Sequence, residues 1–177
     1  MKKIAYFTVM LLAANFSIAS AAEKSSQETG DLTLSVLSEA AFTGMQLSVK
    51  KAVQDGKAKA SMYECISALK SSSFISVYEP FFTQQFTTEE QMHTEEFFSA
   101  VVGKKYAKHG VLQIYAATGL AAPEPLPTFS PEEMGALEAF SQTTAGGKLM
   151  VKRIMQSPAI NSAVQSKIGE LLSSCRK

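Results

Sequence analysis

The chain holds two cysteines, two histidines and no tryptophan, so side chains suited to metal or nucleophilic chemistry are scarce. The cysteines are not spaced as Cys-x-x-Cys, which excludes the usual redox-active pair. No Gly-x-Ser-x-Gly elbow exposes a serine nucleophile. Gly146-Gly147-Lys148-Leu149 lacks the G-x4-G-K-[S/T] frame and is not a phosphate loop. No run of lysine and arginine exceeds two residues. That excludes the continuous basic face by which proteins neutralise nucleic-acid phosphates, and a polybasic contact with membranes. No period-2 alternation of β-branched residues marks a strand. An all-α fold follows.

One long apolar stretch stands at the N-terminus. Lys2 and Lys3 precede Ile4 to Leu12, Ala13, Ala14 and Phe16, and Ser17-Ile18-Ala19-Ser20-Ala21-Ala22 closes the segment. A positive start, a short apolar run and small residues at its end are the marks of a cleaved signal peptide, residues 1–22, cut after Ala21 or Ala22. No second apolar run reaches the roughly 18 residues of a membrane span, and no cysteine stands at the cut to carry a lipid. The expected compartment is the periplasm. Loss of Lys2 and Lys3 would leave fifteen basic against sixteen acidic residues, a net charge near −1. Residues 23–30 are polar and aperiodic and read as a disordered leader to one helical domain, residues 31–177. Cys65 and Cys175, an even pair in an oxidising compartment, are expected to form one disulfide.

Helical spacing begins at Asp31. Leu34, Leu37, Ala41, Met45, Val49 and Val53 recur at steps of three and four residues; Asp31 or Thr33 is placed to cap the start, and Asp55-Gly56 to end the helix. A second helix is expected over residues 58–70. An aromatic group, Phe74, Val77, Tyr78, Phe81, Phe82 and Phe86, reads as a third helix kinked or divided at Pro80. Ser157-Pro158 opens a last helix through Ile160, Val164, Ile168, Leu171 and Leu172. A compact bundle of six to seven helices is expected.

The most informative pattern occurs twice. Phe86-Thr87-Thr88-Glu89-Glu90 runs on to Phe97, Gly103 and Lys105, and Phe129-Ser130-Pro131-Glu132-Glu133 runs on to Phe140, Gly146 and Lys148. A shift of 43 residues superposes them and brings Gln113 onto Gln156, so units 86–113 and 129–156 read as a duplication. Thr87 with Glu90, and Ser130 with Glu133, each form a capping box in which hydroxyl and carboxylate satisfy each other's backbone N–H. Pro131 stands at the first helical position, where its missing N–H is harmless. Phe86 and Phe129 occupy the place of a hydrophobic staple, whose partners would be Gln91, which fits that contact poorly, and Met134, which fits it well. Gly103 and Gly146 either end the first helix of each unit or admit close packing. The proline-rich connector 119–128 between the units is extended and semi-rigid.

Chemistry finds little purchase. Glu90-x-x-His93 has the spacing of two ligands on one helix face, but di-iron bundles need that motif twice, and Ala136 replaces His93 in the second unit. Paired carboxylates at Glu89/Glu90 and Glu132/Glu133 are explained by helix N-termini, where they oppose the positive end of the dipole. No enzyme activity, metal or cofactor is expected.

The repeated pattern resembles a broad family of secreted bacterial proteins carrying a domain of unknown function, marked by an aromatic, [S/T]-x-E-E, Phe or Phe-Tyr, and Gly-x-K. The Phe-Tyr pair reads Phe97-Phe98 and Phe140-Ser141 here, and the Ser-Pro before the glycine is missing from both units. The resemblance implies an exported, all-helical, non-enzymatic domain. The expected function is binding of another protein in the cell envelope, as an immunity protein or inhibitor of a periplasm-acting toxin or hydrolase. The alternative is a small-molecule or lipid-binding helical domain, with the aromatic cluster 74–86 and Phe97/Phe98 lining an apolar cavity.

Overall fold

The computed structural model describes residues 31–176. The expected signal peptide and leader lie outside them. Eight helical segments occur among the described residues, and no strand: α1 (Asp31–Gln54), α2 (Ala60–Ser67), α3 (Ile75–Gln85), α4 (Thr88–Ser99), α5 (Val101–Thr118), α6 (Pro131–Gln142), the single turn α7 (Thr144–Gly146) and α8 (Pro158–Ser174). Short 3-10 turns stand at Ser71–Phe74 and Ile154–Gln156, and a π-helical turn at Gly147–Val151. No helix among the described residues is long and apolar enough to cross a membrane.

The long helix α1 is the spine. Leu34, Phe42, Met45 and Val49 return to one face every three or four residues and are buried against α2, α3, α4 and α5. Its end is where the sequence places it, with Gly56 in the left-handed region at φ 69°. Its start is tied to another helix. Glu95 of α4 accepts from the backbone N–H of Leu32 at 3.0 Å and of Thr33 at 2.7 Å, while the Thr33 hydroxyl reaches Thr94 at 3.0 Å. A carboxylate from another helix thus serves the amides that have no intrahelical partner.

The aromatic group is core. Phe74 and Phe82 are fully buried, Phe86 nearly so, and the Phe82 and Phe86 rings lie 4.7 Å apart. Each such side chain contributes roughly 1.5–3 kcal/mol on burial, so the three together outweigh the roughly 3 kcal/mol that a mid-helix proline costs. The helix is therefore not divided at Pro80, and α3 runs through it. The last helix, α8, lays Ile160, Val164 and Leu171 against this core. Its cap differs from expectation: Ser157 has the right backbone, but its side chain makes no capping bond. Cys65 of α2 and Cys175 after α8 are disulfide-bonded, with Cα atoms 5.7 Å apart.

Candidate functional site

The two matching sequence segments become two helix pairs, α4–α5 and α6–α7, with the same local construction. Each first helix has twelve residues. Both capping boxes form: the N–H of Glu90 donates to Thr87 Oγ1 at 3.3 Å and that of Thr87 to Glu90 Oε2 at 2.8 Å. The corresponding distances at Ser130 and Glu133 are 3.2 and 2.8 Å. Each first helix then stops at one extended residue, Ala100 (φ −70°, ψ 156°) or Thr143 (φ −69°, ψ 160°), before helix resumes.

The glycines explain how so sharp a bend is possible. Gly103 and Gly146 lie three residues beyond the break, inside the second helix, and do not end the first. A Cβ on either would overlap the carbonyl oxygen of Phe97 or Phe140. Close packing is thus the reason for glycine at both positions, and their φ angles are ordinary.

The helix pairs hold each other crosswise. Lys105 of the first pair binds Glu133 of the second, at 2.8 and 2.6 Å to its two oxygens. Lys148 of the second pair binds Glu90 of the first at 2.7 Å. Each lysine also lies over the phenylalanine preceding the other pair's cap, Lys105 at 5.3 Å from the Phe129 ring centre and Lys148 at 5.5 Å from that of Phe86. Between them the Phe97 and Phe140 rings stack, 3.9 Å apart and 4° from parallel. Every residue of the pattern has a place: aromatic under lysine, hydroxyl and glutamate at the cap, phenylalanine at the centre, glycine at the bend. Both bridging glutamates are held below the ordinary carboxylate range, Glu90 by the Lys148 ammonium and then the Thr87 amide, Glu133 by the Lys105 ammonium and then the Ser130 amide.

The pairs diverge just beyond the matching glycines. α5 continues for 18 residues, whereas the second pair widens into the π-helical turn and then places Arg153 in the left-handed region at φ 49°. Equivalent positions still converge on one cleft of about 350 Å³. Tyr106 faces it with Leu149, Gly110 with Arg153, and Gln113 with Gln156, over Val36 and Ala40 of α1.

A larger apolar groove of about 570 Å³ lies elsewhere, along α1 between α5 on one side and α2 and α8 on the other. The aromatic cluster has no part in it: Phe74, Phe82, Phe86 and Phe97 are core. Of the aromatics expected to line an apolar cavity, Phe98 borders the smaller cleft and Phe81 a separate hollow beside Ile154 and Pro158. Of the expected staples, the first is replaced by a hydrogen bond from Gln91 Nε2 to the Phe86 carbonyl at 3.0 Å, and Met134 is exposed. His93 is exposed, while Glu90 is engaged by Thr87 and Lys148. Among the described residues no three of His, Cys, Asp and Glu are grouped to hold a metal.

Comparison of the chain with protein-family models, curated proteins and solved structures gives no match.

Proposed function

We infer that this is an exported, non-enzymatic helical protein of the periplasm that binds another protein of the cell envelope, acting there as an immunity protein or inhibitor of a toxin or hydrolase. The signal peptide over residues 1–22, the duplication of units 86–113 and 129–156, and membership of the secreted family that the pattern resembles belong to the same proposal.

The observation that carries it is the distribution of exposed apolar side chains. Met92, Val101, Leu126, Met134 and Val151, between 46% and 78% exposed, all fall on the paired helices, the π-helical turn and the connector. Single exposed apolar residues need no explanation, but their confinement to this part of the chain does. Four of them stand on helices and a turn that the crosswise ion pairs hold together, and a base pre-organised in this way lowers the entropy lost on binding. The matching test is capture from oxidised periplasmic extract by the wild type and by a Met92→Asp/Met134→Asp variant. A near-stoichiometric partner retained by the first and lost by the second, at equal melting temperature, supports the reading. Equal capture by both counts against it.

A further inference from the structure

We propose that the groove along α1 binds the hydrocarbon chain of a single-chain anionic amphiphile, such as a fatty-acid anion, with Arg176 pairing its headgroup. Its floor is a row of small residues one turn apart, Ala40, Gly44, Ser48 and Ala52. They span about 18 Å of helix, the reach of an extended acyl chain. Met62 of α2, Ile114 of α5, and Ile168 and Leu172 of α8 wall it. The volume of about 570 Å³ falls within the range of small-molecule sites.

Two further features select the ligand. Among the described residues lining the groove, Arg176 is the one charged side chain and no carboxylate occurs. A long apolar channel with a single guanidinium suits an apolar tail carrying one negative head. The groove is also preformed, because the Cys65–Cys175 bond ties its α2 wall to its α8 wall. The fold does not demand the small floor: a Cβ on Gly44 would rest 3.9 Å from Ile114, an ordinary contact, and Ser48 is exposed. Larger side chains there would project into the groove and leave the core intact.

The experiment is isothermal titration of the oxidised protein with dodecanoate, below the concentration at which it forms micelles. Saturable one-to-one binding with a negative heat-capacity change is expected. Gly44→Leu should weaken it at least tenfold, and Ser48→Leu is the second filling variant should the first not fold. Arg176→Gln should weaken dodecanoate several-fold while leaving an uncharged monoacylglycerol unaffected. A lysophosphatidylglycerol binding as tightly as dodecanoate would assign the groove to single-chain anions generally, and weaker binding would narrow it to free carboxylates. Absence of saturable binding, binding only to acidic vesicles, or equal binding by a folded Gly44→Leu variant would overturn the proposal.

Discussion

Glu90 has two duties, capping its own helix and receiving a lysine from the other helix pair, and Glu133 mirrors it. Both duties require the ionised form. A carboxylate whose folded pKa lies below its unfolded value contributes its full stability above the unfolded value, and that contribution disappears as pH falls through the folded one. The protein should therefore hold its stability toward neutral pH and lose it in acid, below the ordinary glutamate range. Urea denaturation across pH checks this, with Lys148→Met and Lys105→Met as controls. Each variant should lower stability at neutral pH and flatten the acid limb. An unchanged acid limb in the double variant would show that the ion pairs do not carry the effect. Salt should weaken the pairs only in part, because the Glu90 side chain is 9% exposed and Lys148 27%.

Among the elements, α4 and α6 owe their starting points to their caps. Thr87→Ala and Ser130→Ala should each cost about 0.5–2 kcal/mol, whereas Thr88→Ala, one residue inside the first helix, should cost little. Thermal and urea unfolding of the three variants would decide it, and equal effects from all three would refute the cap argument. These caps were readable because they are closed within four consecutive residues by backbone geometry alone. The crosswise lysines were not. The repeated spacing displays Lys105 and Lys148, but which carboxylate each meets depends on how the pairs dock. Glu95 escaped for the same reason, since its amide partners on α1 lie more than sixty residues away. A division at Pro80 was the wrong alternative because local propensity was weighed without the burial of Phe74, Phe82 and Phe86 around it. The π-helical turn that holds Lys148 has no proline to announce it, and the two glycines before the lysine are equally compatible with an ordinary helix end.

For the molecule as a whole, the disulfide closes most of the domain into one loop. With a sequence separation of 110 residues, its removal should lower stability by up to about 5 kcal/mol on the chain-entropy account. Comparison of oxidised protein with a Cys65→Ser/Cys175→Ser variant measures this, and a loss under 1 kcal/mol would show that α8 is held by its packing alone. The all-helical class and the cysteine pairing were both open to sequence reasoning, one from periodicity and the other from an even number of cysteines. The apolar groove was not, because it is made by four helices whose separate patterns do not reveal where they leave a gap.

The connector between the helix pairs lies inside that closed loop. A protease cutting the chain between Gly119 and Thr128 would therefore release nothing. Cys65, Glu90, Phe97 and Lys105 would stay on one fragment, Cys175, Glu133, Phe140 and Lys148 on the other, and each half would carry the counterpart of the other's contacts. The nicked protein should migrate as a single band without reductant and as two with it, still folded. The connector is thus the segment whose scission matters least to the fold.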